Sequence, residues 1–271
     1  MDTFAVFGNP IKHSLSPQIY AFFAAEIGIQ PSYGRILTAP KLFEPTMQQF
    51  FSTNGRGANI TSPFKERAFA LCDYVTKQAS LASAVNTIFK LPNGALFGDN
   101  TDGIGLMSDL QRLCLLHRNS RVLLVGAGGA ARGVIAPLIN YGCRIVLVNR
   151  TFSRAKELVR CYPNINNIST LPIEQLDAAN FDIIINATTT SMFREIPLLP
   201  TSLITSTVCC YDMFYQHGDT AFIMWCRQQG AKKLIDGLGM LVSQAAYAFM
   251  LWHGILPSIF PVLEKLRAQL R

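Results

Sequence analysis

The segment "VLLVGAGGAARGV", residues 122–134, constrains the fold more than any other part of the chain. An apolar run leads directly into Gly126, Gly128 and Ala131, which fit the pattern G-x-G-x-x-G/A. In such a turn between a buried strand and a helix, the glycines let the backbone approach a pyrophosphate at the helix N-terminus. An ordinary glycine-rich turn has the same composition. The helix-forming run that follows and a second strand predicted at 144–148 favour a dinucleotide site.

Strand-like and helix-like runs alternate through most of the chain, which predicts an α/β fold with mainly parallel sheets. Asn93 and Gly94 in "LPNGAL" suit a turn with positive φ and so predict a hairpin. A second series begins at 121 with "RVLLV", "RIVLV", "FDIIINA" and "TVCCYDM", almost wholly apolar runs typical of a sheet with helices on both faces. In the first half we predict strands at 3–7, 33–38, 57–61 and 86–90 and helices at 16–28, 41–53 and 64–71.

The 271 residues are enough for two domains, and we expect the boundary near 101–120. We predict a substrate domain formed by residues 1–101 and 237–271 and a Rossmann-type domain formed by residues 102–236. Residues 237–263 contain no Asp, Glu, Lys or Arg, which also permits a membrane span. Glycines, polar residues and Pro257 interrupt that stretch. A helix at 238–252, apolar on nearly all sides, is therefore expected to lie buried against the first domain.

Composition narrows the class of function. The net charge is +7, but the 24 Lys and Arg are scattered without a run of five, which disfavours a nucleic-acid-binding arm. The seven cysteines are irregularly spaced, and the four histidines show no metal-ligand spacing. We therefore expect free thiols in a reducing, cytoplasmic compartment and no metal site. The N-terminal "MDTFAVFGNP" lacks a basic region and is typical of a first strand rather than a signal peptide.

The end of the strand after the glycine turn predicts which dinucleotide binds. An NAD site usually carries Asp or Glu there for the ribose hydroxyls. This chain has "VNRTFSR" instead, which supplies Asn149, Arg150, Thr151 and Arg154 and no acid. A guanidinium can hold a 2′-phosphate through two parallel hydrogen bonds, whereas a carboxylate repels it. Solvated helix arginines are the alternative, but the offset from Gly126 favours NADP.

The segment "NPIKHSLSP" predicts a helix start, with Ser16 as N-cap and Pro17 at the first helical position. The hydroxyls of Ser14 and Ser16 at this helix N-terminus suit a carboxylate. Simple capping of the helix would use the same residues, and spacing alone does not separate the two interpretations.

Three further polar residues of the first half have alternative interpretations. Lys65 follows a predicted strand and a proline turn, where a surface lysine that starts a helix is the ordinary interpretation. Asp102 lies in an Asn-Thr-Asp-Gly turn and could cap the next helix, and Asn86 could be a turn residue at a strand start.

Eight segments in this order resemble the shikimate dehydrogenase family, between about residue 4 and residue 255. They are "FGNPIKHSLSP", "GANITSPFK", "AVNT", "GDNTDG", "GAGGAAR", "NRT", "YDMFY" and "DGLGMLVSQAA". The resemblance implies a substrate domain and a Rossmann-type domain, with C-terminal helices that return to the first. It also implies reversible, NADPH-dependent reduction of 3-dehydroshikimate to shikimate in aromatic amino acid biosynthesis, by a monomer or homodimer.

The resemblance also implies roles for individual residues. Lys65 and Asp102 match the catalytic pair of the family, and a proton donor at the ketone oxygen suits hydride transfer, because negative charge develops there. The substrate groups matched are Ser14 and Ser16 for the carboxylate, Thr61, Asn86 and Gln244 for the ring hydroxyls, Asp102, and Tyr215 beside the substrate. The cofactor groups matched are Gly126, Ala127, Gly128, Gly129, Ala130, Asn149, Arg150, Thr151, Arg154, Met213 and Gly237.

One loop departs from the family pattern. After "FDIIINAT" the family commonly has a glycine, as in A-T-S-x-G, whereas this chain has Ser191 at that place. The sequence therefore does not predict the path of this loop near the cofactor.

Two other functions share many of these features. A quinate/shikimate dehydrogenase often prefers NAD, and Arg150 with Arg154 argues against it. A catalytically silent NADP-binding sensor would not need both Lys65 and Asp102.

Overall fold

The computed structural model describes residues 3–30, 32–163, 165–176 and 181–270, so the outer bounds 1 and 271 of the predicted substrate domain lie outside the described residues. The described chain forms two six-stranded sheets. The strands are β1 (Thr3–Gly8), β2 (Ser32–Leu37), β3 (Gly55–Ile60), β4 (Tyr74–Val75), β5 (Thr87–Lys90), β6 (Leu96–Asp99), β7 (Arg121–Val125), β8 (Arg144–Val148), β9 (Ile168–Thr170), β10 (Ile183–Asn186), β11 (Cys209–Asp212) and β12 (Lys233–Ile235). The α-helices are α1 (Ser16–Glu26), α2 (Phe43–Ser52), α3 (Lys65–Leu71), α4 (Lys77–Ala82), α5 (Asp102–Arg112), α6 (Gly129–Tyr141), α7 (Phe152–Arg160), α8 (Ala221–Gln228), α9 (Leu238–His253) and α10 (Ile259–Leu270).

The first sheet has the order β2-β1-β3-β5-β6-β4 and is mixed. Three of its five strand pairings are parallel, as predicted, and the predicted hairpin makes the two pairings of β5 antiparallel. Gly94 at its tip has φ +88°, and the Ala95 amide donates to Asn93 Oδ1 at 3.1 Å. Since β5 is antiparallel to both β3 and β6, the strands β1, β3 and β6 run in one direction. Their carboxyl ends therefore meet at one edge of the sheet.

The second sheet is wholly parallel, with the order β9-β8-β7-β10-β11-β12. Counted from β7, this is the order 3-2-1-4-5-6 of dinucleotide-binding sheets. Successive strands are added on one side of β7 up to β9 and then on its other side from β10 onward, so the strand order reverses between β7 and β10. Successive residues alternate between the two faces. Val122 and Leu124 pack with α5 and α6, whereas Leu123 and Val125 pack with α8. Both faces are covered, which explains why the strand sequences are almost wholly apolar.

Helix α9 returns to the first sheet, as its apolar sequence predicted. It packs in one cluster with Phe4, Tyr20 and Phe23, and Trp252 Nε1 donates to the Ile88 carbonyl at 3.1 Å. Within the described ranges, no helix is long and apolar enough to cross a membrane.

Helix α5 connects the two halves and contacts α6 and α9 at close range. A Cβ built on Gly103 would come within 2.4 Å of Pro137 in α6, and one built on Gly105 within 2.6 Å of Gln244 in α9. Side chains at these two positions would push the helices apart. The contact fixes Gln244 beside the amino end of α5.

Candidate active site

The predicted substrate residues lie at one edge of the first sheet. Ser14 and Ser16 follow β1, Lys65 follows β3, and Asp102 follows β6. Asn86 immediately precedes β5, which runs in the opposite direction, so it lies at the same edge. The fold thus gathers side chains that are up to 88 residues apart in the chain.

Lys65 and Asp102 form an ion pair at this edge. Lys65 Nζ lies 2.5 Å from Asp102 Oδ2, and the side chains are 15% and 6% exposed. Lys65 does begin helix α3, as the surface-lysine interpretation expects, but its amine is turned into the protein rather than solvated. The second carboxylate oxygen of Asp102 accepts a hydrogen bond from Asn86 Nδ2 at 2.8 Å. Asp102 therefore fixes the position of the Lys65 amine, and Asn86 fixes the position of Asp102.

Asn86 connects this pair to α9. Its amide nitrogen also donates to Thr101 Oγ1 at 3.0 Å and to Gln244 Oε1 at 3.4 Å. Its amide oxygen accepts from the Thr101 backbone at 2.9 Å. Asn86 is therefore an organising residue rather than a simple turn residue. Thr101 was missed by the sequence analysis, although it lies next to Asp102 in the quoted "GDNTDG".

The serine segment, residues 14–16, differs from its prediction by one residue in the position of the helix N-cap. Helix α1 begins at Ser16, and its N-cap is Leu15, whose carbonyl accepts the first hydrogen bond of the helix, from the Ile19 amide at 3.0 Å. Ser16 therefore does not cap the helix. Ser14 Oγ donates to Ser16 Oγ at 3.1 Å and accepts from the Ser16 amide at 3.3 Å, which sets the two hydroxyls side by side. The Leu15 amide donates to the hydroxyl of Tyr215, 200 residues away, at 3.3 Å.

Asn59 is the penultimate residue of β3, and Thr61 follows the strand directly. Thr61 is half-buried, and its backbone amide donates to the Phe7 carbonyl of β1 at 2.9 Å. Asn59 is buried and accepts a hydrogen bond from the Tyr33 hydroxyl at 2.7 Å. The sequence analysis missed Asn59, although its spacing of two residues from Thr61 was a usable signal.

The glycine turn follows β7, as predicted. Gly126 has φ +112°, and a Cβ there would lie 3.2 Å from the carbonyl of Ala187, the residue that follows the neighbouring β10. Gly128 precedes the first residue of α6, and a Cβ there would meet nothing within 4 Å. Open space before a helix N-terminus fits the pyrophosphate of a dinucleotide. A Cβ on Gly129 would come within 3.1 Å of Lys65 Cβ, so the turn borders the Lys65 side chain. Ala127 and Ala130 complete this turn.

The candidate phosphate residues follow β8. Asn149 Nδ2 donates to the Thr151 carbonyl at 2.9 Å, which folds the segment back on itself. Arg150 and Arg154 are exposed. Within the described part of the chain, neither has a carboxylate at ion-pair distance, so both charges remain available to an anion. These residues fit the 2′-phosphate of NADP.

Met213 and Gly237 follow β11 and β12 and touch one another. The Met213 amide donates to the Asn186 carbonyl at 2.9 Å, and the Gly237 amide donates to the Phe214 carbonyl at 2.9 Å. A Cβ on Gly237 would lie 2.2 Å from the Met213 carbonyl oxygen, so only glycine fits there. All predicted cofactor residues therefore lie at the carboxyl edge of the second sheet.

Comparisons with known proteins agree with this geometry. The family model of the shikimate dehydrogenase substrate-binding domain matches residues 6–88, that of shikimate/quinate 5-dehydrogenase matches residues 110–195, and that of the shikimate 5′-dehydrogenase C-terminal domain matches residues 237–267. The crystal structure of shikimate dehydrogenase from Aquifex aeolicus is 30% identical, with 98% of this chain and 97% of that chain covered and a TM-score of 0.87. The chain belongs to the shikimate dehydrogenase family.

Two further solved structures resemble the whole chain. An Ael1 enzyme from Pseudomonas putida is 40% identical, with 98% of both chains covered and a TM-score of 0.88. Shikimate 5-dehydrogenase from Thermus thermophilus, solved in complex with NADP(H) and shikimate, is 32% identical, with 99% of both chains covered and a TM-score of 0.86. The predicted α/β fold with a substrate half and a Rossmann-type half is thereby confirmed.

Ser191, which departs from the shikimate dehydrogenase pattern, has a defined partner in this chain. It is 1% exposed, and its hydroxyl donates to Asp212 Oδ2 at 2.6 Å. Thr220 Oγ1 donates to the same oxygen at 2.6 Å, while Asn186 Nδ2 and the Phe214 amide donate to Oδ1, each at 3.1 Å. The loop after β10 is thus tied to the residue that precedes Met213.

Asp212 lies in this cluster with no exposed surface. Burial raises the pKa of its carboxyl to about 6, and the hydrogen bonds from Ser191, Thr220, Phe214 and Asn186 act in the opposite direction. An acid whose pKa is raised by folding stabilises the native state at low pH. That contribution is complete below the unfolded pKa and is lost as the pH rises through the folded pKa.

We therefore expect the wild-type protein to lose stability relative to Asp212→Asn as the pH rises. With the Asp212 pKa near 6 in the folded protein, against 3.8 for the unperturbed group, the relative loss is about 3 kcal/mol in total. Urea unfolding of both proteins at pH 4.5 and 7.5 measures the larger part of it. The variant is the reference, because its amide does not titrate. A stability difference that is the same at both pH values would contradict the prediction.

Proposed function

We propose that this chain catalyses the reversible reduction of 3-dehydroshikimate to shikimate with NADPH. The observation that carries the proposal is the Lys65–Asp102 pair, with 2.5 Å between Nζ and Oδ2, directly beside the amino end of α6 and its glycine turn. A ketone held at the first sheet and a nicotinamide held at the second would meet at this amine. Membership of the family supports the substrate, and the Thermus thermophilus relative binds both shikimate and NADP(H).

The role proposed for Lys65 is proton transfer. In the reducing direction, NADPH held by the turn before α6 would supply the hydride that the ketone carbon receives. The ketone oxygen then gains negative charge and takes a proton from the Lys65 ammonium; in the opposite direction the neutral amine takes the hydroxyl proton back. Asp102 orients the amine through their short hydrogen bond, and Asn86 orients Asp102.

The other polar groups at this edge would recognise the substrate. The paired hydroxyls of Ser14 and Ser16 suit the carboxylate. Each ring hydroxyl would meet a polar side chain whose position is set by neighbours, and an analogue that lacks the hydroxyl would leave a buried partner unpaired. The side chains proposed for this contact are Thr61, Asn86, Asp102 and Gln244, with Tyr215 beside the ring.

Three sets of residues would each bind a different part of the cofactor. The turn Gly126, Ala127, Gly128, Gly129 and Ala130 would hold the pyrophosphate at the N-terminus of α6. The segment Asn149, Arg150, Thr151 and Arg154 would hold the 2′-phosphate of the adenosine. Met213 and Gly237 would border the nicotinamide, next to Lys65.

The wider setting is part of the proposal. Residues 1–101 and 237–271 would form the substrate domain, and residues 102–236 the NADP-binding domain. All seven cysteines are free thiols, which supports a reducing compartment such as the cytoplasm. We propose that the protein works there as a monomer or homodimer in aromatic amino acid biosynthesis.

An absorbance assay of reduced nicotinamide tests reaction, substrate and cofactor together. Shikimate or quinate is supplied with either NADP or NAD. We expect shikimate with NADP to give the highest kcat/KM, with NAD lower by about 10- to 150-fold for each arginine contact to the 2′-phosphate. Absence of turnover with shikimate would overturn the proposed function. Faster turnover of quinate with NAD would instead support a quinate/shikimate dehydrogenase.

A further inference from the structure

Arg35 is bound to the serine segment in an unusual way. It lies on β2, an edge strand of the first sheet, and its side chain is exposed. Its guanidinium Nε and Nη2 both donate to the backbone carbonyl of Ser14, at 2.8 Å and 2.6 Å. Two donors of one guanidinium converge on a single neutral oxygen, although a guanidinium is suited to the two oxygens of a carboxylate. The sequence analysis did not identify this residue.

The contact holds the backbone that presents the two hydroxyls. Arg35 fixes the Ser14 carbonyl, and the Tyr215 hydroxyl fixes the Leu15 amide at 3.3 Å. The side chains of Ser14 and Ser16 are paired with each other at 3.1 Å. The segment is therefore held from one side by β2 and from the other by the chain that follows β11.

The charge of Arg35 has no acidic partner in the part of the chain that the structure describes. Arg67, Arg112, Arg227 and Arg267 each pair with a carboxylate, but Arg35 does not. Its charge acts on two phenols, Tyr33 and Tyr215. Burial raises the pKa of both phenols, and the positive charge of Arg35 acts in the opposite direction on each. The field of Arg35 therefore reaches into the space around the paired hydroxyls.

We propose that Arg35 is a specificity-determining residue that supplies the positive charge opposite a carboxylate bound at Ser14 and Ser16. This inference rests on the proposed function, because it takes the carboxylate to be that of shikimate. The two serine hydroxyls are neutral hydrogen-bond donors and do not compensate the charge of an anion. Arg35 both positions their backbone and favours an anionic ligand over a neutral one of the same shape.

The experiment changes the charge on the protein and on the ligand separately. The values of kcat/KM for shikimate and for its neutral methyl ester are measured with wild type, Arg35→Gln and Arg35→Lys. For Arg35→Gln we expect kcat/KM for shikimate to fall about 10-fold, because KM rises. The value of kcat/KM for the ester is expected to fall less than about 3-fold. Arg35→Lys retains the charge and is expected to recover most of the preference for shikimate. Arg144→Gln, at an exposed position on a strand of the second sheet, is the matched control.

Each outcome decides between the roles. An equal fall for shikimate and ester would show that Arg35 only holds the segment, and no fall for either would remove both roles; both results overturn the proposal. A wild-type protein that does not turn over shikimate at all would overturn the proposed function, and this inference with it. Normal wild-type turnover with an insensitive Arg35→Gln overturns the inference alone.

Discussion

Replacing Lys65 with alanine is expected to lower kcat by about 10²- to 10⁴-fold and to change the KM for shikimate by less than about 3-fold. The amine is proposed to give its proton to an oxygen that becomes negative as the hydride arrives. That interaction strengthens in the transition state and contributes little to binding of the ground state. Initial rates over a range of shikimate concentrations, at saturating NADP, separate the two parameters.

Lys77→Ala is the matched control. Lys77 is also the first residue of a helix, α4, but it is exposed, and in the described part of the chain it forms no ion pair with Asp102. This variant is expected to retain wild-type rates. Full activity in Lys65→Ala would refute the role of the amine.

A loss of folding must be separated from a loss of chemistry, because Lys65→Ala leaves the carboxylate of Asp102 buried without its cation. Breaking such a pair can cost about 3–5 kcal/mol of stability. The double variant Lys65→Ala/Asp102→Asn removes the unpaired charge and is expected to regain stability but no activity. Recovery of activity in the double variant would mean that misfolding caused the loss in the single one.

Much of the fold is predictable because its regularities are local. The apolar runs of β7, β8, β10 and β11 are buried on both faces, and the hairpin between β5 and β6 is encoded by two residues. The strands β4, β9 and β12 were missed. Each has two or three residues at a sheet edge, which is too short to show a period, so their pairing depends on the neighbouring strand.

The candidate site is predictable in its residue types but not in its contacts. Lys65, Asp102 and the glycine turn each follow a strand, so their common edge follows from the fold. The bond from Leu15 to Tyr215 joins residues 200 positions apart, and Arg35 reaches Ser14 from a neighbouring strand. Patterns within one segment contain no information about such partners. Ser191 is a similar case, because it lies in the loop after β10 and its partner Asp212 is the last residue of β11, 21 positions further along the chain.

The proposed preference for NADP rests on two exposed arginines that no described carboxylate neutralises. Arg150 is the second residue after β8, and Arg154 lies in the first turn of α7. Hydrogen bonds between charged partners contribute about 1.5–3 kcal/mol each. An aspartate at position 150 would remove one such contact and would also place a negative charge where the 2′-phosphate is expected, while it could accept hydrogen bonds from the ribose hydroxyls of NAD.

Arg150→Asp is therefore expected to raise the KM for NADP by about 100-fold and the KM for NAD by less than about 3-fold. Initial rates with each cofactor, at saturating shikimate, measure both values. Arg160→Asp makes the same change of charge at the exposed last residue of α7 and is expected to leave both KM values near wild type, since it lies at the far end of the helix. If Arg150→Asp raises both KM values equally, Arg150 does not contact the 2′-phosphate, and the choice of cofactor must lie elsewhere in the turn after β8.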